Sequence, residues 1–465
     1  MVQRIFRSSE ILVRRIFELW SLNRQICLQM KTALLEPVVH SLTDENFKDS
    51  RAALSLRYQS VRGFTETLCE PLEIEDYVIQ SMADASPTKW HLAHMSWFFE
   101  NFVLEKGLPG YKADPHYAYL FNSYYNAVGP MHCRPRRGLI SRPTVEETYR
   151  YRDLIDTRMG DFFERATEEQ WRKLKPTIEL GLHHEQQHQE LLLMDIKHVF
   201  AQNPLHPVYK LREIQQSAVV PPLRWHAFRE GVHEIGHDSD DFCFDNEKPR
   251  HRVFVEPFQI GSRLVTNGEY LAFIEDGGYE RPELWLSLGW YFVSEQKCTC
   301  PLYWRKQNGE WLEFSLSGLR PLDLDEPVCH VSYFEAEAFA RWSKARLPTE
   351  AEWEVATAAL PIAGNFVETG RFHPAPAEAS ASNELAQTFG DVWEWTQSSY
   401  SPYPGYNPPA GALGEYNGKF MCNQYVLRGG CCATSQSHFR RTYRNFFSPD
   451  KRWPFTGIRL AKNIL

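Results

Sequence analysis

His183-His-Glu-Gln-Gln-His188 runs without a break into Glu190-Leu-Leu-Leu-Met-Asp-Ile196, with no glycine or proline between them. Apolar residues recurring at three and four predict one long helix through both segments. On a helix, His184 and His188 project from one face, about one turn apart, so their imidazoles can share a metal ion. A pair at this spacing is equally at home on an exposed polar face, so the motif does not decide the matter alone. A second stretch adds weight. Ser86-Pro-Thr-Lys-Trp-His-Leu-Ala-His94 reads as a helix start, with Ser86 as N-cap and Pro87 at the first helical position, and it carries His91 and His94 toward the apolar run Trp97-Phe-Phe99. Either histidine can be a satisfied core residue, and His91 fits that role better. Ligands on facing helices meet at a metal in the core of a bundle. Three imidazoles would leave coordination positions open, and imidazole suits zinc, copper, iron and nickel alike.

From about Asp44 to Phe200 the helical period persists, which predicts a helix bundle over residues 45–202. Pro204, Pro207, Pro221 and Pro222 mark residues 203–224 as a linker. From Trp225 to the end, Gly, Pro, Trp and Tyr are frequent and short extended runs such as His251-Arg-Val-Phe-Val255 appear, so residues 225–465 should be an α+β domain with much irregular structure. The fold class expected is α+β multidomain. Residues 1–44 form an N-terminal extension. Up to Thr32 it is basic and amphipathic, and lacks the long apolar stretch and cleavage site of a secretory signal; it reads as a solvated helix or an artefact of the chosen start.

Composition narrows the function classes. The chain has 465 residues, 43% of them hydrophobic, and a formal net charge of −8, so a surface built to neutralise phosphate is excluded and nucleic acid is not an expected partner. No apolar stretch reaches the length of a membrane span. Ten cysteines without a CxxC pair suggest reduced thiols and a cytoplasmic setting. Oligomeric state is not encoded in these patterns.

The ordered set SPTKWHLAH, HHEQQHQE, Leu347-Pro-Thr-Glu-Ala-Glu-Trp353, Gly390-Asp-Val-Trp-Glu-Trp395 and Arg428-Gly-Gly430 resembles the ergothioneine-biosynthesis sulfoxide synthases, the EgtB family. The resemblance covers nearly everything beyond residue 45. It implies a DinB-like four-helix bundle followed by a C-type-lectin-like domain similar to formylglycine-generating enzymes. It also implies non-haem Fe(II) held by His94, His184 and His188, and an O2-dependent joining of a thiol sulfur to C2 of the hercynine imidazole.

The family likeness extends to neighbouring residues. It implies hercynine binding by Gln187, Asn445, Phe446 and Phe447, where aromatic faces suit a quaternary ammonium that has no N–H to donate. The alternative for Gln187 is an amide that steadies a ligand; for the phenylalanines, ordinary core. Tyr124 and Tyr125, in Phe121-Asn-Ser-Tyr-Tyr-Asn126, match the tyrosine pair of the branch that takes free cysteine, and either is a candidate proton or electron donor. Tyr400, Tyr403 and Tyr406 are reserves, because the γ-glutamylcysteine branch places its tyrosine in the second domain. That branch carries an acid where this chain has Phe447 and an arginine where it has Lys451, so cysteine is the expected donor. Its carboxylate needs a guanidinium, for which Arg134 is the first candidate and Arg440 and Arg444 follow.

Two related activities fit less well. Formylglycine-generating enzymes need a copper-binding cysteine pair where this chain has Ser437 and Thr442, and neighbouring Cys431 and Cys432 are poorly placed to replace it. Ovothiol synthases usually carry a further methyltransferase, for which no room is expected after Gly457-Ile-Arg-Leu460. The remaining alternatives are the same reaction with γ-glutamylcysteine, a selenoneine synthase using a selenosugar, and a DinB-type ligand-binding module without redox chemistry.

Overall fold

The computed structural model describes residues 50–212, 220–378 and 385–464. The basic extension at residues 1–44 lies outside the described residues, as do positions 213–219 of the proline-containing linker. Helices come first: α1 (Arg51–Cys69), α2 (Thr88–Phe99), α3 (Pro115–Phe121), α4 (Val145–Arg165) and α5 (Glu168–Gln202). Thr144 and Thr167 start α4 and α5 through reciprocal bonds with Glu147 and Gln170, two donors satisfied at each end. The bundle closes because α1 and α2 each pack against both α4 and α5.

Helix α2 is apolar nearly all round, and each of its residues is buried, which makes it the central rod. It passes directly into a π-helical turn, Glu100–Leu104. The Ser86 cap expected from sequence is not formed. Pro87 is the N-cap, and Ser86 instead uses its N–H on Asp195 and its hydroxyl to accept from Arg137. Pro87, which follows Ser86, takes the N-cap position itself and leaves the serine one residue too early for the helix amides. Gly181 of α5 governs how closely the two rods approach: a Cβ there would lie 2.7 Å from a Phe99 ring carbon and 2.9 Å from a Phe98 one.

The second domain has little regular structure and many short strands. In chain order these are β1 (Trp225–Phe228), β2 (Gly231–Ile235), β3 (His251–Val255), β4 (Phe258–Gly261), β5 (Trp304–Gln307), β6 (Glu310–Ser315), β7 (Gly318–Pro321), β8 (Trp393–Ser399), β9 (Tyr425–Arg428), β10 (Asn445–Phe447), β11 (Thr456–Gly457) and β12 (Ala461–Asn463). They form sheets ordered β1-β4-β12, β10-β9-β8-β11 and β5-β6-β7, plus the hairpin β2-β3. Helices Asn267–Glu275, Ser287–Gln296, Tyr333–Trp342 and Glu350–Thr357 pack around them. Strand β12 returns the end of the chain to β4, near the start of the domain, as in C-type-lectin-like folds.

Helix α5 serves both domains. Its Glu190 accepts from Trp393 Nε1 at 2.7 Å and Thr434 Oγ1 at 2.6 Å, and its Lys197 lies 2.7 Å from His330 Nε2. Burying charged and polar groups this way requires their partners to be in place. The helix that carries two of the expected ligands is therefore fixed by side chains of the other domain.

Candidate metal centre

One ring nitrogen of each of His94, His184 and His188 falls in a common cluster, all within 4.8 Å of one another. His94 comes from α2 and the pair from α5, with His94 Nε2 and His184 Nε2 3.2 Å apart. His94 is stacked between Trp90 and Trp97, four residues before it and three after, at 4.5 and 5.3 Å. Phe98 lies against His184 at 4.8 Å.

Burial disfavours the charged form of all three. It pushes His184 down to about 3 against the opposing pull of Glu185, and it holds His94 and His188 well below the ordinary histidine value, where neighbouring positive charge adds to the effect. Neutral imidazoles are what a metal requires. The His94 Nδ1–H donates to Phe121 O at 2.5 Å, which leaves Nε2 as the free lone pair. His188 Nδ1 is engaged by His91 Nδ1 at 2.8 Å. Three neutral donors converge with no cation among them, and the set fits a divalent metal.

Adjacent Glu185 points away from the cluster and anchors the helix. Burial alone would raise its carboxyl, but Arg152 at 2.7 Å and Arg62 at 3.0 Å outweigh it and hold the group down at about 2.

Tyr125 is fully buried and Tyr124 half-buried, their rings stacked 4.6 Å apart and their hydroxyls 3.5 Å apart. Tyr125 lies 5.7 Å from Trp97, which itself stacks on His94. Burial raises both phenols, so at neutral pH they keep their protons. Gln187 is held between two tyrosines of the second domain, accepting from Tyr416 Oη and donating to Tyr443 Oη at 2.7 Å.

Tyr400, Tyr403 and Tyr406 bond to Asn246, Glu350 and Asp245 instead. The second-domain tyrosine beside the cluster is Tyr416, 5.7 Å from the His184 ring and 6.4 Å from Tyr124. Asn445, Phe446 and Phe447 form β10; Phe446 stacks on Tyr400 at 4.1 Å, and Phe447 meets Trp453 edge-on at 5.5 Å.

The three arginines go to different places. Arg134 is exposed and donates to Asp84 O at 2.5 Å, while Lys451 pairs with the Asp84 carboxylate at 2.8 Å. Two expectations need correcting. Arg440 is spent on Glu247 at 2.6 Å, and buried Arg444 is clamped to Glu350 at 2.9 Å with further bonds to Asn246 O and Ser401 O. Both are internal counter-ions, since a buried carboxylate must be paired. The guanidinium near the histidines is Arg137, buried, 3.3 Å from the centroid of Trp90, bonded to Ser86 and Ser123, with its Nε unpartnered.

Residues 227–464 match the family described as sulfatase-modifying factor enzyme 1-like domains. The hercynine oxygenase of Mycolicibacterium thermoresistibile is 31% identical over 414 residues, 82% of this chain and 88% of that protein. The chain belongs to the hercynine oxygenase family of ergothioneine sulfoxide synthases. The hercynine oxygenase of Mycobacterium tuberculosis is 40% identical over 248 residues, 49% of this chain, and the match spans 57% of that protein's length. A formylglycine-generating enzyme of Streptomyces coelicolor is 29% identical over 275 residues, 48% of this chain and 84% of its own. Ser437 accepts from Gln186 at 2.7 Å and Thr442 donates to Glu247 at 2.5 Å, so both hydroxyls have structural partners. Among the described residues no helix is long and apolar enough to cross a membrane.

Sequence reasoning missed Tyr416, Arg137 and Asp195. Tyr416 sits in an irregular loop without a motif, and one arginine among several between Arg134 and Arg142 has no distinguishing local pattern.

Proposed function

We propose that the chain joins the sulfur of cysteine to C2 of the hercynine imidazole, giving hercynyl-cysteine sulfoxide, with Fe(II) held by His94, His184 and His188. The balanced reaction takes one thiol, one imidazole C–H and one O2, and yields the sulfoxide and one water. The C–H and S–H bonds break, the C–S and S–O bonds form, and O2 accepts four electrons. The observation that carries this reading is the convergence of three neutral imidazoles from two helices beside a stacked tyrosine pair. A ferrous ion there would keep positions open for the thiolate and O2 and supply the redox chemistry.

The chain's own residues do the rest. Gln187, locked by Tyr416 and Tyr443, presents its amide to the hercynine imidazole. Asn445, Phe446 and Phe447 offer an oxygen acceptor and aromatic faces to the trimethylammonium, contacts of roughly 0.5–2 kcal/mol each. Arg137 and Arg134 are the guanidiniums available for the cysteine carboxylate, Arg137 being the buried one. Tyr125, protonated and shielded from water, is the proton donor, and Tyr124 connects it to the second-domain face. Phe447 packed against Trp453 offers no acid to a γ-glutamyl amine, which supports cysteine as the donor. Nine cysteines among the described residues are free thiols, in keeping with a reducing compartment.

The test is O2 uptake with mass spectrometry, using iron-loaded protein and hercynine with cysteine, γ-glutamylcysteine and a selenosugar in competition. The expected result is the cysteine sulfoxide with one O2 per product. Preferential use of another donor would overturn the choice of substrate. An absence of O2 consumption with every donor would reduce the chain to a binding module.

A further inference from the structure

Beside the three histidines lies a fourth that none of the proposed chemistry uses. His91 is buried one turn before His94 on α2, with Nδ1 2.8 Å from His188 Nδ1 and Nε2 3.0 Å from Asp195 Oδ2. Asp195, two turns beyond His188 on α5, receives two other N–H groups: Ser86 N at 2.8 Å and, from the second domain, Trp453 Nε1 at 3.1 Å. We propose that Asp195 and His91 are positioning residues, a relay that fixes the tautomer and ring orientation of His188 so that its Nε2 lone pair faces His94 and His184.

The direction of each bond follows from what each group can donate. A carboxylate only accepts, and each Asp195 oxygen already faces N–H donors, so the proton between it and His91 sits on His91 Nε2. A neutral His91 protonated there has its lone pair on Nδ1. The short contact to His188 can then be a hydrogen bond only if His188 Nδ1 carries the proton, which leaves His188 Nε2 bare. Phe121 O does the same job for His94 in one step. His184 has no such partner, its Nδ1 being buried and unbonded. The relay also reaches across the domain boundary: Trp453, which holds Asp195, is the ring against which Phe447 of β10 packs. The proposed hercynine strand and the His188 ligand are thus joined through three side chains, Trp453, Asp195 and His91.

The proposal rests on the reading that these histidines bind iron, so the test separates the two. Ferrous affinity is measured anaerobically by competition with a chelator, together with the rate of iron release and the melting temperature of the metal-free protein. Asp195→Asn places an amide where His91 needs an acceptor and favours the other His91 tautomer, which would put the His188 proton on the metal-facing nitrogen. Asp195→Asn and His91→Ala should each weaken binding by about 10- to 100-fold, the usual cost of losing a group that orients a metal-bound histidine. Trp453→Phe, which keeps the ring and removes only the N–H, should speed iron release several-fold and serves if the other variants do not fold. Wild-type affinity and release in folded variants would overturn the relay. Unchanged binding in His188→Ala would instead overturn the metal reading itself.

Discussion

Among the described residues, two clusters bring three potential metal ligands within 4.8 Å of one another, and both are buried: His94, His184 and His188 in the bundle, and Glu313, Glu326 and His373 in the second domain. They differ in what surrounds them. Around the histidines burial favours the neutral form of His94, His184 and His188, and among the described residues no lysine or arginine is hydrogen-bonded to their ring nitrogens. The carboxylate cluster is filled by protein cations. Arg320 contacts Glu326 and approaches His373 Nε2 at 2.5 Å, and Arg212 reaches Glu326 at 2.9 Å. Burial pushes Glu313 upward against the pull of Lys197, which further lowers its value as a metal ligand. Ligand type and distance alone would rank the clusters equally; charge already satisfied by arginine separates them.

The most severe way to break that comparison is His188→Ala, which should abolish stoichiometric ferrous binding in an anaerobic titration. Tyr125→Phe should leave iron binding intact and slow sulfoxide formation by about 10²-fold or more, if the buried phenol supplies a proton in the rate-limiting step; steady-state O2 uptake reads this directly. Glu185→Ala removes the buried carboxylate shared by Arg62 and Arg152, which keep only Asp156 and Glu66, and should cost about 3 kcal/mol in denaturant unfolding.

The pH dependence should sharpen the contrast further. His184 is held near 3 in the folded chain by burial, against an ordinary value of 6.5. Below 6.5 the unfolded chain takes up protons that the folded one refuses, so metal-free stability is full above that pH and falls as pH drops toward 3. Thermal melts at pH 7.5 and 5 should show this loss. The smallest effect expected is that of Glu313→Gln, which should leave the number of bound ferrous ions unchanged.

The same contrast explains what could be read from the chain. Helical spacing puts His184 and His188 on one face, and His94 precedes the apolar run Trp97-Phe-Phe99; the family resemblance singled out these three as candidate ligands, and the structure brings their rings together. The order of a helix bundle and an α+β domain was likewise written in a change of hydrophobic period, while the lectin-like character of the second domain came from the family resemblance. Asp195 was not legible: its partner His91 is 104 positions away, and nothing local marks that carboxylate. Arg440 and Arg444 sit in a cationic, aromatic segment that looks made for a substrate carboxylate, yet Glu247 and Glu350, remote in sequence, already occupy them. Ser86 was misread because a serine before Pro-Thr suits a cap, whereas here tertiary bonds to Asp195 and Arg137 claim it.

The central claim is most directly tested by counting ferrous ions bound anaerobically to the wild-type chain, to a His94→Ala/His188→Ala variant and to a Glu313→Gln/Glu326→Gln variant. The account predicts one ion per chain in the wild type and in the carboxamide variant, and none in the histidine variant. One ion retained without the two histidines, or lost with the two glutamates, would contradict it.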